Sequence, residues 1–322
     1  MKIARCLFCW VLKLGLVLSL TLTAQAQPVK VRAVYPSVDV QYLPAHLGRA
    51  MGFFKDEGLE VEFIVMRGGR LGVQALLGGD AQFIMPLGVV LPAIWNGADL
   101  KVLAQMTNML PFSLVVRPEI QRLEDLRGKK IGVTVGATTF ALVQELLRLR
   151  GIDPNKGIEY VNLSGAEPKV VALQKGLIAA APLAPPTELK VIQAGFKRLV
   201  FFGDVLPEMA FTGLVATTRY IRENPKIVES MVRGMVRATY SARDDSDAAV
   251  GTMQSYMNMT PNDARETYRV VRKAFSTNLT ELGVKRMSSL ISDSTGVKAT
   301  KEPKEFIERS FLNRVLSQLG KN

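Results

Sequence analysis

The sequence predicts an α/β protein of two lobes, each a mixed sheet flanked by helices, with a ligand cleft between them. Three observations carry this. Strand-like and helix-like segments alternate from Val29 to about Gly203, a pattern that builds parallel or mixed sheets with crossover helices. The alternation comes in two units, the second beginning near Leu123. From about Asn224 the chain reads as helical, and amphipathic helices need a face to bury against, which the first unit offers. That order requires two chain crossings, expected near Arg117 and near Thr212. Lobe 1 is therefore read as residues 27–116 with 213–322, and lobe 2 as residues 117–212.

The elements follow in order. Val29–Tyr35 is β-rich, and a helix is expected from about Leu43 to Lys55, ended by Gly58. Val61–Val65 reads as a strand, Arg67 to Arg70 as a turn, and Leu71–Leu77 as a helix stopped by Gly78-Gly79-Asp80. Ala81–Met85, Lys101–Met106 and Phe112–Val116 read as strands, with a helix over Val89–Trp95. In the second unit, Ile131–Val135 is a strand. The helix after it puts Phe140, Val143, Leu146 and Leu147 on one face and ends at Gly151. Ile158–Leu163, Leu177–Ala181 and Leu199–Gly203 are expected strands, separated by helices that open at Pro168 and Pro186-Thr187. Phe211–Thr217 reads as a return strand. Asn224-Pro225, Thr260-Pro261 and Glu302-Pro303 are helix starts, a capping residue followed by proline at the first position. The last helix is expected to run to about Leu319.

The first 26 residues read as a secretory signal. Lys2, Arg5 and Lys13 form a basic start, Leu14–Leu22 is a short apolar run, and Ala24-Gln25-Ala26 offers a cleavage site before Gln27. An uncleaved membrane anchor is the alternative, but the run is short for a bilayer. A periplasmic location is expected. Both cysteines, Cys6 and Cys9, fall in this segment and neither ends the apolar run, so no lipoprotein anchor is read. The remainder offers no disulfide, thiolate metal site or cysteine nucleophile. Its length, about 296 residues, suffices for a core without staples.

The chain carries 41 Lys+Arg against 29 Asp+Glu, a net charge of +12. Without the three basic residues of the signal the balance is +9. No Lys/Arg block with interleaved aromatics is present, so nucleic acid is not an expected partner. A basic surface steers anions towards a cleft, or simply keeps the protein dispersed. No second apolar run reaches membrane length, and a soluble mature protein is expected.

Catalysis finds little support in the residues. His46, the one histidine, sits in a helical stretch and reads as a packed or surface residue; a lone histidine gives no metal-ligand spacing. The pairs Asp56-Glu57 and Asp244-Asp245 read as solvated charges. No phosphate loop, nucleophile elbow or metalloprotease motif occurs. No catalytic residue, metal or cofactor is expected.

Binding is better supported. Ligands of open α/β sheets gather beyond the carboxyl ends of the strands. The first strand is followed by Ser37, Gln41 and Tyr42, the second by Gly68, Gly69 and Arg70, and the third by Leu87 and Gly88. Glycines let backbone N–H groups approach a ligand, and Arg70 has the charge to pair with an anion. In the second unit Gly136, Ala137, Thr138 and Thr139 open a helix, whose free N–H groups suit anionic oxygens. These positions, with Pro182, Leu183 and Ala184, are the candidate ligand-binding residues. Each has a plainer reading as a tight turn, a cap or a surface charge.

The run Tyr42-Leu43-Pro44-Ala45-His46-Leu47-Gly48-Arg49-Ala50-Met51-Gly52-Phe53-Phe54-Lys55-Asp56-Glu57-Gly58-Leu59-Glu60-Val61 resembles the opening of the SsuA/THI5-like (NMT1) solute-binding proteins. Gly68-Gly69, the stretch Leu77 to Phe83, the stretch Leu123 to Val133, Gly151 to Pro154, and Ala172 to Gly176 are similar to that family too. The resemblance covers most of the chain beyond the signal. It implies a type II periplasmic-binding-protein fold whose lobes close on a solute by hinge motion. It implies a monomer that hands the solute to the permease of an ABC importer in the inner membrane. Relatives take alkanesulfonates, taurine, nitrate, bicarbonate, pyrimidine precursors or aromatic acids.

One departure is notable. Where the family usually has an acidic residue after Gly176, this chain has Ala179, followed by the apolar Pro182 to Pro186. That lip is expected to take an apolar or aromatic part of a small organic, anionic solute, of sulfonate, carboxylate or aromatic acid type. Two alternatives stand beside this. One is an enzyme of the thiamine-pyrimidine synthase type, which depends on a cysteine-rich motif and histidine. The other is a soluble ligand-sensing partner of a receptor.

Overall fold

The computed structural model describes residues 27–206 and 208–321. The expected signal segment, with Cys6 and Cys9, lies outside the described residues. Two five-stranded sheets form the frame. The first contains β1 (Val29–Tyr35), β2 (Leu59–Val65), β3 (Phe83–Pro86), β4 (Leu100–Thr107) and β10 (Thr212–Thr217), in the order β2-β1-β3-β10-β4. The second contains β5 (Ser113–Val116), β6 (Lys129–Val133), β7 (Ile158–Asn162), β8 (Ala180–Leu183) and β9 (Lys197–Phe201), in the order β7-β6-β8-β5-β9. The sheets repeat one plan. β1 runs parallel to β2 and β3, as β6 does to β7 and β8. One antiparallel strand, β10 or β5, sits second from the edge.

Helices fill the crossovers. In the first unit these are α1 (Leu43–Ala50), α2 (Phe53–Asp56), α3 (Gly69–Gly78) and α4 (Leu91–Trp95). In the second they are α5 (Thr138–Leu149), α6 (Ala166–Gln174), α7 (Thr187–Gln193) and α8 (Phe202–Val205). The tail comprises α9 (Thr218–Glu223), α10 (Pro225–Asp244), α11 (Ser246–Met257), α12 (Pro261–Val271), α13 (Glu281–Thr295), α14 (Pro303–Phe306) and α15 (Ser310–Gln318).

The proline-marked starts at Pro225, Pro261 and Pro303 hold. At Thr260 the hydroxyl also accepts from the Asp263 N–H at 3.1 Å, which satisfies an otherwise orphaned donor. Several boundaries move. The expected helix over residues 43–55 divides at Gly52, whose φ of 76° breaks the helical path. The expected strand over Leu177–Ala181 starts only at Ala180, because the Leu177 N–H still donates to Ala172 O at 2.9 Å and belongs to the turn that ends α6. Gly203 lies in α8, past the end of β9. The last helix breaks between α14 and α15, where the Glu308 N–H leaves the helix and donates to Val102 O on β4 at 2.9 Å.

The crossings also move. A boundary after Val116 assigns β5 to the first lobe, yet β5 pairs antiparallel with β8 and β9 in the second sheet. The chain therefore crosses between Thr107 and Ser113, one strand earlier than expected. It returns between Val205 and Thr212, and Thr212 belongs to the first sheet. The tail packs mainly on the first unit, with α10 against α1, α2 and β4. The tail also reaches across: α13 packs on α5 of the second unit.

The pair Asp56-Glu57 is not simply solvated. Glu57 meets Arg233 at 3.2 Å and Asp56 meets Arg237 at 2.9 Å, tying α2 to α10. Asp244 pairs with Arg243 at 2.8 Å, and Asp245 accepts from the Ala248 N–H at 3.0 Å to cap α11.

Gly213 permits the closest approach in the first sheet: a Cβ there would stand 2.0 Å from the carbonyl oxygen of Ala104 on β4. Backbone cannot yield to it as a flexible side chain can. Gly213→Ala is expected to cost about 3 kcal/mol in urea unfolding, at the upper end of overpacking penalties. Gly251, exposed in α11 with open space around it, is the opposite case; Gly251→Ala is expected to add about 1 kcal/mol through helix propensity.

Candidate functional site

A cavity of about 110 Å³ lies between the two sheets. It sits where the carboxyl ends of the parallel strands converge. β1 delivers Pro36, Ser37, Asp39, Gln41 and Tyr42; β2 delivers Arg67, Gly68 and Gly69; β3 delivers Pro86 and Val89. From the other sheet, β6 delivers Thr134 and Ala137 to Thr139, β7 delivers Gly165, Ala166 and Lys169, and β8 delivers Pro182 to Ala184. Such convergence is the location rule for open α/β sheets, here applied twice across one gap.

The two crossings supply the remaining wall. Phe112 and Phe211 meet edge to face with ring centroids 5.9 Å apart, and both line the cavity. The crossings are hydrogen-bonded to each other. Phe211 N–H donates to Thr107 O at 3.0 Å and Met209 N–H to Asn108 O at 2.9 Å, and the Thr107 and Thr212 hydroxyls lie 2.7 Å apart.

Most of the residues anticipated from sequence come together here. Ser37, Gln41, Tyr42, Gly68, Gly69, Ala137, Thr138, Thr139, Pro182, Leu183 and Ala184 all line the cavity. Four do not. Arg70 lies in the first turn of α3 and is exposed. Leu87 is buried behind the lining, its N–H donating to Phe211 O at 3.1 Å. Gly88 backs the wall, where a Cβ would come within 2.5 Å of Thr138 Oγ1. Gly136, with φ of 79°, turns the chain outside the cavity into α5.

Sequence reasoning missed the charged members. Lys169 is 4% exposed and Asp39 is 8% exposed. They come from different sheets, line the same cavity, and form no ion pair within 4.0 Å among the described residues. Burial pushes the Asp39 carboxyl up to about 6, against the lowering pull of its bonds from Ser37 and Gln41 and of Lys169. Burial pushes the Lys169 ammonium down to about 8, against the raising pull of Asp39. Groups perturbed by burial beside an opposite charge, gathered in a cleft, are candidates for a functional site.

The backbone adds positive potential. The helices α3, α5 and α6 are preceded at their capping positions by Gly68, Ala137 and Gly165, and none of these starts receives a side-chain cap. All three starts line the cavity. Uncapped first-turn N–H groups and the positive end of the helix dipole attract anionic oxygen.

The consequence for stability depends on pH. From about 4 to about 6 the folded state holds a proton on Asp39 that the unfolded chain releases, so stability falls as pH rises through that window. From about 8 to about 10.5 the unfolded chain binds a proton that folded Lys169 lacks, so stability rises with pH there. Between the two windows the ligand-free fold carries both charges buried.

The sheets also touch around the cavity. Arg67 Nη1 meets Glu167 Oε2 at 3.3 Å, Val40 N–H donates to Pro185 O at 3.2 Å, and Gln193 Nε2 donates to Asp263 Oδ1 at 3.0 Å. His46 belongs elsewhere. It is packed in the core and stacked on Tyr256 at 3.6 Å, with burial pushing its imidazole down to about 3. Among the described residues, no helix is long and apolar enough to cross a membrane, and no cluster of metal-ligating side chains occurs.

Comparison with known proteins bears on the same fold. “Putative binding protein YtlA” of Bacillus subtilis is 24% identical over 231 residues, 68% of this chain and 69% of its own. Relatives from Brucella abortus are matched over 57% of their length at 28% identity. The alkanesulfonate-binding protein SsuA from Xanthomonas axonopodis pv. citri, solved with bound MOPS, superposes with a TM-score of 0.74 at 17% identity, covering 88% of this chain and 100% of that one. The desulfurization enzyme DszB shares the fold as well, with a TM-score of 0.68 at 16% identity, covering 90% of this chain and 99% of that one. The profile described as NMT1/THI5 like matches residues 40–249, well over half of the sequence, and so the chain belongs to the NMT1/THI5-like family.

Proposed function

We propose that this chain is an exported solute-binding protein that captures a small organic anion between its two lobes and presents it to the permease of an ABC importer. The observation that carries the reading is the buried Lys169 beside three uncapped helix starts in one cavity. A desolvated ammonium and convergent N–H groups bind carboxylate or sulfonate oxygens strongly, because little water competes there. Much of the remaining lining is apolar. Phe112, Phe211, Val89, Pro86, Pro182 and Leu183 suit a hydrocarbon or aromatic body, as most small-molecule sites do. Periplasmic location, removal of the signal before Gln27 and a monomeric state belong to the same proposal.

Capture is favoured over catalysis by the ionisable groups that line the cavity. The one hydroxyl of the lining that donates to a carboxylate is Ser37, to Asp39, and the ionisable side chains of the lining, Asp39, Tyr42, Arg67 and Lys169, include no histidine to relay its proton. Tyr42 is driven well above its usual range by burial, which keeps it a neutral phenol. The fold shared with DszB is the reason to test for turnover as well as for binding.

Thermal unfolding across a panel of aliphatic and aromatic carboxylates, sulfonates and inorganic anions tests the reading. A ligand at about one hundred times its Kd stabilises a folded protein by about 2.7 kcal/mol. A shift of several degrees with organic acids and none with nitrate or bicarbonate is expected; tight binding of the inorganic ions contradicts the apolar lip.

The double variant Asp39→Asn with Lys169→Met removes both buried charges at once. Without ligand at pH 7 it is expected to be more stable than the parent by about 1–4 kcal/mol, as when buried ion pairs are replaced by neutral groups. Its advantage grows as pH rises from about 4 to about 6, the window in which the parent pays for ionising Asp39. The same variant loses the anion-induced shift. Urea unfolding over that pH range, with and without the best panel acid, reads both effects.

A further inference from the structure

We propose that the solute also bears a nitrogen cation, an ammonium-type group held by Asp39 at the opposite wall from Lys169, so that the preferred ligand is a zwitterionic amino acid and not a simple acid. The inference rests on the capture of an organic anion in this cavity.

Charge balance is the first argument. The buried ionised groups lining the cavity are one acid and one base, Asp39 and Lys169. A simple anion beside Lys169 would leave the Asp39 carboxylate uncompensated in a closed site, and an unpaired buried charge is strongly unfavourable. A zwitterion places each of its charges against the opposite protein charge and leaves the filled cavity neutral. Arg67 does not alter this count, since it is exposed and already meets Glu167 at the rim.

The geometry of the Asp39 loop is the second argument. Ser37 Oγ and Gln41 Nε2 both donate to Oδ2 of Asp39, the latter at 3.3 Å. No hydrogen bond reaches Oδ1 among the described residues, although a carboxylate oxygen accepts two. The bond from Nε2 orients the Gln41 amide, so its oxygen points away from Asp39. That oxygen is buried without a partner, on a residue 2% exposed that lines the same cavity. The Gln41 amide oxygen is thus a buried acceptor that no donor from the described protein serves, and the Asp39 carboxylate of the same loop keeps an oxygen with spare capacity. Buried acceptors left unserved are costly, and an ammonium with three donors is the complementary group.

Separation is the third argument. Two opposite buried charges that line one cavity would ordinarily pair, yet these stay more than 4.0 Å apart on separate sheets. Each is held by its own wall, Asp39 by the turn after β1 and Lys169 by the first turn of α6. The gap between them is where a short linker fits, with the apolar lining around its carbon chain.

Matched pairs of probes decide the matter by isothermal titration on the full mature chain. The pairs are γ-aminobutyrate with butyrate, δ-aminovalerate with valerate, and para-(aminomethyl)benzoate with para-methylbenzoate. The expected result is that in at least one pair the amino acid binds about tenfold or more tightly than its des-amino partner, the gain of one charge-assisted hydrogen bond. In Asp39→Asn that ratio falls towards one. The wild-type comparison needs no variant, so a poorly folding Asp39→Asn does not spoil it. Des-amino acids that bind as tightly as their amino partners overturn the proposal and leave anion capture standing. A preference for the amino acid that survives in well-folded Asp39→Asn overturns the role of Asp39. Failure of both members of every pair to bind, with binding of other organic anions in the thermal panel, overturns the zwitterion alone; failure of every organic anion overturns both readings.

Discussion

Two chain crossings that hydrogen-bond to each other are the constraint on which the site depends. Phe211 N–H to Thr107 O and Met209 N–H to Asn108 O lace the outgoing segment to the returning one. The lacing continues directly into β4 and β10 on one side. On the other, β5 runs into the middle of the second sheet. With the crossings joined along one line, the carboxyl ends of the parallel strands in both sheets are brought to the same gap. Phe112 and Phe211 project from that line into the cavity. In the hinge mode of domain closure two rigid bodies rotate while a few connecting residues absorb the change, and the proposed capture of a solute would place that role on these crossings. The contacts around the cavity, at Arg67 with Glu167 and at Val40 N–H with Pro185 O, are ones that such a rotation would break and remake.

The cavity is costly to the fold that holds it. Asp39 and Lys169 are each taken out of water without direct pairing, and each responds by shifting towards its neutral form. Elsewhere the protein handles charge conventionally. Glu57, Arg233, Glu229 and Arg314 form a network at 3.0–3.2 Å that joins α2, α10 and α15. The buried carboxylate of Glu188 accepts from Arg198. Against that background two separated buried charges stand out as the sort of local inconsistency that functional sites show, and the proposed ligand would resolve it.

Much of the fold is legible in the sequence, for identifiable reasons. Val29–Tyr35 is a run of β-formers with clear ends, and the strand occupies those bounds. Proline after a capping residue marks α10 and α12. The loops after β1, β2, β6 and β8, which line the cavity, are legible in the sequence because strand ends and glycines announce them. What escaped was set by long-range pairing or by burial. No local signal says which sheet β5 joins, since four apolar residues suit either. Lys169 follows Pro168 in an ordinary helical first turn, and Asp39 sits in a polar loop; only the packing of the other lobe makes either of them buried. Phe112 and Phe211 lie about one hundred residues apart and meet only because the crossings pair. Arg70 misled for the complementary reason: a charge next to two glycines looks like an anion ligand until the helix that starts at Gly69 turns it outward.

A crystal structure of the mature chain with the acid that most raises its melting temperature tests the central claim most directly. The account predicts the acid between the two sheets, its oxygens against Lys169 Nζ and the uncapped start of at least one of α3, α5 and α6, and its carbon body against Phe112 and Phe211. An acid seated in another groove of the molecule, or one in this cavity with its charged end turned away from Lys169, would contradict it.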